Sequence, residues 1–194
     1  MIRLSVILLF LSLGSFAQNK FSAYLQGSSA SQWVSDPASS SDVMAYSSRQ
    51  GYGGGLRYDV SLNKYFSLSY RVNYSQKGFD SRSNKLDYLG LDNVIQFFPH
   101  LWNADGVYFF TGLRNDRLLK KSVDQPQTNP NNNQPINPND YHRWSFGGLT
   151  GIGYWMNRLN LELGMNYDLA PSLRTDNTLV RNYLWFLNVG FQLF

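Results

Sequence analysis

The chain has 194 residues, a formal net charge of +4 and no cysteine. The missing thiols exclude disulfide bonds, thiol catalysis and a lipid-modified cysteine of the exported-lipoprotein type. The positive charge, +3 without Arg3, is modest and scattered along the sequence. It argues against a nucleic-acid surface and predicts at most a weak attraction to anionic lipopolysaccharide.

The amino terminus is typical of an export signal. A positive residue precedes an apolar stretch at residues 4–13, and Ser15 and Ala17 are small residues of the kind that precede a cleavage site. As a helix the apolar stretch would reach only about 15 Å, half the thickness of a bilayer core, and no amphipathic segment follows for it to pack against as a core helix. We therefore predict a signal peptide over residues 1–17 and one mature domain over residues 18–194.

Apolar and polar side chains alternate with a period of two along the mature chain, most clearly in residues 159–169. A strand turns successive side chains to opposite faces, so such a segment has one apolar and one strongly polar face. That combination is typical of a transmembrane β-barrel, whose outer face meets lipid and whose inner face meets a polar lumen. The pattern predicts eight strands, at residues 19–32, 51–62, 65–76, 86–98, 107–119, 143–156, 159–169 and 181–194.

Short and long connections alternate strictly between these strands. The short ones are residues 63–64, 99–106 and 157–158, and the long ones are residues 33–50, 77–85, 120–142 and 170–180. Outer-membrane barrels have short periplasmic turns and longer outer loops. We therefore predict an all-β, eight-stranded antiparallel up-and-down transmembrane barrel in the outer membrane of a Gram-negative bacterium, with both termini periplasmic. The Asn/Pro-rich segment 125–138 is expected to be disordered or extended.

Aromatic side chains cluster near both ends of the predicted strands. Those beside the short turns are Tyr65, Phe66, Trp102 and Trp155, and those toward the long connections are Tyr74, Phe79, Tyr141, Trp144, Tyr183 and Trp185. This distribution favours two interfacial girdles on the lipid-facing wall. The alternative is that aromatic residues are simply common in strands.

Charged side chains occur on the face that the alternation turns inward. They are Arg57, Asp59, Arg71, Arg114, Asp116, Glu162 and Asp168. Because an eight-stranded barrel is just wide enough for its own side chains, we expect these charges to pair with one another and with Asn73, Asn166 and Gln192. The result would be a polar plug. The alternative is a narrow ion path or a small-ligand site, for which inward glycines would leave space, namely Gly53, Gly55, Gly147, Gly151 and Gly153.

An enzymatic alternative is set by two small outer-membrane barrels, a lipid A palmitoyltransferase and a lipid A deacylase, which bring a histidine and a serine together near the outer surface. Here His100 falls in a short turn and His142 at the outer rim. His142 and Ser145 are three residues apart and would lie on opposite faces of a strand. Asp140 shares a face with His142 but belongs to a long loop. The sequence shows no phosphate-binding loop and no metal-ligand spacing, so we predict neither enzymatic activity nor a cofactor.

Several segments resemble the PorT-like family of small outer-membrane β-barrel proteins. They are Gly53–Leu56, Leu62–Leu68, Tyr74–Gly78, Asp87–Leu89, Phe97–Pro99, Tyr108–Gly112, Gly151–Gly153 and Asn188–Phe191. The resemblance implies a membrane-embedded, non-enzymatic protein without catalytic residues, in a family of which a few members are implicated in type IX secretion.

The last residue departs from the pattern of such barrels. A terminal aromatic side chain on the lipid face is usual, but the alternation of Leu187, Val189, Phe191 and Leu193 leaves Phe194 out of phase with that face. We therefore expect Phe194 to point away from lipid.

The sequence leaves three functions open. The favoured one is a structural or accessory subunit of a larger outer-membrane complex, of secretion or assembly type, in contact with outer-membrane lipid, lipopolysaccharide and other outer-membrane proteins. The second is a surface adhesion or binding barrel that acts through its loops, which the Ser-rich residues 28–41 and the Asn/Pro-rich loop favour. The third is a lipid A-modifying enzyme. No nucleic-acid partner is expected.

Overall fold

The computed structural model describes residues 19–35, 43–45, 48–79, 84–99, 106–123, 127–128, 135–136, 141–175 and 178–194. The predictions of a signal peptide and those made for His100, Trp102 and Asp140 lie outside these residues. The described residues contain no helix that is long and apolar enough to span a membrane.

Eight long strands form the structure. They are β1 (Lys20–Ser35), β2 (Arg49–Ser61), β3 (Phe66–Phe79), β4 (Asn84–Phe97), β5 (Gly106–Val123), β6 (Trp144–Met156), β7 (Leu159–Asp168) and β8 (Thr178–Gln192). Each pairs antiparallel with the next, and β8 pairs with β1 from Ser22 opposite Gln192 to Ser35 opposite Leu179. This last pairing closes the sheet, so the backbone groups of β1 and β8 hydrogen-bond to each other instead of facing lipid. The predicted all-β, eight-stranded antiparallel barrel is confirmed.

Short strand segments extend the barrel wall at the end of the barrel where the long connections lie. Val43–Ala45 pairs with β1, and Leu173–Thr175 pairs with β8. Within the Asn/Pro-rich segment, Gln127–Thr128 pairs with Pro135–Ile136. Strands β3, β4 and β5 also run further toward this end than predicted, because backbone pairing continues where the side-chain alternation has stopped.

Two short turns form where the sequence predicts them, and asparagine shapes both. The side-chain oxygen of Asn63 accepts hydrogen bonds from the backbone amides of Tyr65 and Phe66, at 2.8 and 3.0 Å. Asn157 has a φ of 55°, a left-handed conformation that asparagine tolerates better than most residues. These local choices set the register of the β2–β3 and β6–β7 hairpins.

Burial follows the predicted two-residue period. On β7 the side chains of Asn160, Glu162 and Asn166 are buried, whereas Leu161 and Leu163 are exposed. The barrel therefore has an apolar outer wall and an interior rich in polar side chains, the reverse of a water-soluble fold.

The predicted aromatic girdles are correct for some residues and wrong for others. Trp144 and Trp185 are exposed on the outer wall, with 63% and 57% of their surface accessible. Trp155 and Tyr141 are instead buried inside the barrel. Trp155 shares the inward phase of β6 with Gly153, whose missing side chain leaves room for large rings. Tyr141 is held inside by its hydroxyl group, which donates to the Gln32 side chain at 3.1 Å.

Phe194 lies on the outer surface, which corrects the prediction that it would point away from lipid. Strand β8 ends at Gln192, so the period of two no longer applies to the last two residues. The Phe194 ring is exposed and stacks on Phe21 with a centroid separation of 5.2 Å. An aromatic contact thus joins the beginning of β1 to the residues that follow β8, at the end of the barrel where the two chain termini lie.

Candidate functional site

All the charged residues predicted to face the lumen are buried. Each of Arg57, Asp59, Arg71, Arg114, Asp116, Glu162 and Asp168 has at most 4% of its surface exposed. They occupy alternate positions on their strands, so the barrel wall turns them to one side. They separate into a turn-side cluster around Glu162, near the short connections, and a loop-side cluster around Asp168, near the long ones.

The turn-side cluster is centred on the Glu162 carboxylate. It accepts hydrogen bonds from both terminal nitrogens of Arg71, at 2.9 and 2.8 Å, and from Arg57 Nη1 at 2.8 Å. The Tyr108 hydroxyl donates to it at 2.6 Å, and Asn188 Nδ2 donates at 2.9 Å. Because charge-assisted hydrogen bonds are stronger than neutral ones, this set compensates well for the desolvation of the carboxylate.

Arg57 belongs to the same cluster through a second carboxylate. Its Nε donates to both oxygens of Asp59, at 2.8 and 2.7 Å. The guanidinium also lies over the rings of Trp155 and Tyr108, at 5.1 and 5.7 Å from their centroids. The cation is thus held by carboxylates and by aromatic faces together.

The loop-side cluster joins Lys77 to two aspartates. Lys77 Nζ lies 2.7 Å from Asp116 Oδ2 and 3.3 Å from Asp168 Oδ1. Arg114 Nε donates to Asp116 Oδ1 at 2.7 Å. Asp168 also accepts hydrogen bonds from the Ser145 hydroxyl at 3.0 Å and from the Asn182 side chain at 2.7 Å. Side chains of β3, β5, β6, β7 and β8 are tied together at this level of the lumen.

Lys77 and Asp92 are two buried charges absent from the predicted set. Lys77 falls in a predicted long connection, because the clear alternation ends at Gln76. Asp92 lies between outward-facing residues of β4, so the alternation of Leu89 and Leu91 could have indicated it. It accepts a hydrogen bond from Asn73 at 2.9 Å and lies 3.6 Å from Arg114.

Of the three neutral partners predicted for these charges, only Asn73 has that role in the described part of the chain. It donates to Asp92, as above, and accepts from Arg114 Nη2 at 2.6 Å. The buried Asn166 side chain has no hydrogen-bond partner among the described residues, and Gln192 is half-buried at the end of β8. Asn160 and Asn188 take the predicted place beside the turn-side cluster.

Aromatic rings fill the space at two of the five inward glycines that were expected to leave room, Gly151 and Gly153. A Cβ atom added to Gly153 would collide with the Tyr108 ring, and one added to Gly151 would approach the Phe110 ring to 2.5 Å. These rings belong to a buried cluster of Ala30, Val94, Tyr108, Phe110, Leu149, Trp155, Leu184 and Phe186. The lumen is therefore a packed core of aromatic rings and ion pairs, less purely polar than predicted.

A second apolar cluster lies beneath the long connections. It consists of Leu86, Tyr88, Tyr141, Leu173 and Val180. The backbone amide of His142 donates to the Ser172 carbonyl at 2.8 Å, which ties two connecting segments together above this cluster. Apolar side chains thus cover the loop-side cluster of charges.

The histidine-centred alternative is not assembled in the described residues. His142 is exposed, whereas Ser145 is buried and donates to Asp168. The two side chains are therefore not brought together, and His142 precedes β6, so the period of a strand does not apply to it. Among the described residues no group of three histidine, cysteine or acidic side chains is placed to hold a metal ion.

A closed eight-stranded barrel with an apolar wall and a charged, packed interior is the architecture of a small outer-membrane protein. No protein-family model matches the chain, so membership of the PorT-like family is not confirmed, and no curated protein matches it either.

Several solved structures are similar to this chain. Neisserial surface protein A is 15% identical over 88% of this chain and 97% of its own, with a TM-score of 0.45. Ail of Yersinia pestis, in complex with the heparin analogue sucrose octasulfate, is 13% identical over 90% of this chain and 99% of its own, with a TM-score of 0.46. The outer membrane protein AlkL, in lipid bilayers, is 11% identical over 92% of each chain, with a TM-score of 0.47. At these identities the likeness concerns the fold alone.

Proposed function

We propose that this protein is an integral outer-membrane barrel that serves as a structural or accessory subunit of a larger outer-membrane complex, of secretion or assembly type. It acts through its outer wall and its long connections, and it has no enzymatic activity. The observation that carries this proposal is the filled lumen, in which ion pairs and aromatic rings pack against one another. The surfaces left for function are therefore on the outside.

The outer wall supports a membrane location. Leu25, Leu163 and Leu187 have 76%, 53% and 52% of their surface exposed. Apolar side chains at this density would be unfavourable in water but are matched to hydrocarbon. The strict alternation of short and long connections favours an orientation with the short turns and both termini in the periplasm.

A second candidate is a surface-binding barrel that acts through its loops. Strand β5 is 18 residues long and continues to Val123, whereas its neighbour β6 begins only at Trp144, opposite Arg117. The paired strands β4 and β5 therefore extend beyond β6 on the side of the long connections. Such a projection is suited to contact with another surface outside the membrane.

Site-specific photocrosslinking in native membranes tests the first candidate. A photoreactive residue at Leu163, on the outer wall, should yield a defined protein adduct. The same residue at Asn166, which is buried in the lumen, is the matched control and should yield none. Adducts with lipid alone from Leu163, together with migration as an isolated barrel after mild solubilisation, would contradict the subunit role and favour the second candidate.

A further inference from the structure

The barrel separates its acidic side chains from its exposed cations. Among the described residues every acidic side chain is buried, in residues with at most 7% of their surface exposed, namely Asp59, Asp87, Asp92, Asp116, Glu162 and Asp168. Five of these take part in the lumen clusters, and Asp87 pairs with Lys85 at 3.4 Å. The exposed side-chain charges of the described surface are therefore all cationic.

Two exposed arginines lie near the upper end of the apolar wall. Arg117 is ten residues along β5 from Val107, and Arg181 is ten residues along β8 from Phe191. At about 3.3 Å per residue and a tilt of about 40°, ten residues rise about 25 Å. This is the height of the apolar band of an outer-membrane barrel, so both guanidinium groups lie at the level of lipid headgroups.

Arg117 lies opposite Trp144 in the β5–β6 pairing, and Arg143 directly precedes Trp144; these three residues are here called the rim patch. The Arg117 guanidinium lies over the Trp144 ring, 5.8 Å from its centroid, and the Arg143 carbonyl accepts the Leu118 amide at 2.8 Å. All three side chains are exposed. In the described part of the chain neither arginine forms an ion pair.

The apolar wall continues directly below the rim patch. Leu113 lies four residues below Arg117 on β5 and Phe146 lies two residues below Trp144 on β6, and they have 50% and 39% of their surface exposed. A ligand that fits both the arginines and the apolar wall must carry anionic groups at headgroup level and acyl chains beneath them. Free phosphate matches only the arginines.

We propose that the rim patch binds the phosphate groups of a lipid A-type glycolipid, with the acyl chains packed against Leu113 and Phe146. Arginine suits this role because its planar guanidinium can donate two parallel hydrogen bonds to a phosphate. The inference rests on the proposed function, which places this rim in the outer leaflet. It concerns binding only and involves no chemical change in the lipid.

Lipid retention by the purified mature protein tests the proposal. The folded protein is placed in phosphatidylcholine nanodiscs that contain bisphosphorylated lipid A, and the lipid A retained after transfer to detergent is measured. The variant Arg117→Gln/Arg143→Gln should reduce the apparent affinity roughly tenfold or more, since each basic residue near a membrane surface contributes about 1 kcal/mol. The control Lys64→Gln/Arg158→Gln removes the same charge from exposed positions at the short-turn rim and should retain lipid A as the unmodified protein does.

Two further measurements identify the ligand chemistry. The unmodified protein should retain dephosphorylated lipid A only weakly. Its retention should be as low as that of bisphosphorylated lipid A by the variant Arg117→Gln/Arg143→Gln. Inorganic phosphate at millimolar concentration should not displace the lipid. The proposal would be overturned if the rim variant and the control variant lost the same amount of bisphosphorylated lipid A. It would also be overturned if the unmodified protein retained dephosphorylated and bisphosphorylated lipid A equally. The nanodisc assay uses purified protein and does not depend on a partner complex in the cell. A failure to retain lipid A is therefore distinguishable from a failure of the subunit role.

Discussion

The Glu162 carboxylate on β7 and the Arg71 guanidinium on β3 form a two-point contact across the lumen, with N–O distances of 2.9 and 2.8 Å. The two strands are not neighbours in the barrel wall, so this contact joins distant parts of the sheet. Both side chains are buried, and Arg57 donates to the same carboxylate. The contact therefore holds distant strands of the barrel together and neutralises charges that are buried in the lumen.

Glu162→Gln should destabilise the barrel. The substitution keeps the shape of the side chain but leaves Arg57 and Arg71 without their shared anion, and breaking a buried ion pair typically costs about 3 to 5 kcal/mol. Reversible urea unfolding in lipid vesicles measures the change. Lys64→Gln, at an exposed position, should alter the free energy of unfolding by less than about 0.5 kcal/mol. A similar small change for Glu162→Gln would show that water enters the cluster.

Gly153→Ala should also be destabilising, because the new methyl group would meet the buried Tyr108 ring. Overpacking of this kind costs about 1 to 3 kcal/mol. Gly27→Ala is the matched control, since nothing lies within 4 Å of a Cβ atom added there. The same unfolding assay should separate the two variants, and equal stabilities would mean that the Tyr108 ring moves aside freely.

The purified barrel should show no steady large conductance in planar bilayers. Ion pairs and aromatic rings occupy the lumen, and apolar residues cover the charges on the loop side. Single-channel recording provides the measurement. Porin-like currents that disappear on substitution of Arg71 or Glu162 would instead assign an ion path to the turn-side cluster.

Cysteine labelling should establish the orientation. A cysteine introduced at Asn131 is expected to react with an impermeant reagent on intact cells, whereas one at Asn63 is expected to react only after the outer membrane is opened. The absence of native cysteine makes the signal unambiguous. The opposite pattern would place the long connections in the periplasm.

His142→Ala should leave the acyl chains of lipid A unchanged. The imidazole is exposed, and Ser145 is committed to a hydrogen bond with Asp168 inside the barrel. Mass spectrometry of lipid A from cells that carry the variant measures this. Altered acylation would favour the enzymatic alternative over the subunit role.

The period of two is sufficient to predict the barrel, because one phase of each strand has to face lipid. It also indicates which charges face inward, Glu162 among them. The same period places Trp155 inside, because Trp155 lies two residues from the inward-facing Gly153. The girdle prediction was wrong for Trp155 because it considered only nearness to a strand end. Lys77 escapes prediction because backbone pairing, which side-chain patterns do not report, extends β3 beyond the last clear alternation.

The pairing of β1 with β8 has a consequence for how the protein is made. Gln32 and Asn182, which hydrogen-bond across this seam, are 150 positions apart in the chain. Contacts between such distant segments slow folding, because a long stretch must be ordered before they form. Strand β8 is also the last of the eight strands to be synthesised. Until β8 is present the seam between β1 and β8 stays open, so the chain cannot complete its own fold before its last strand is made.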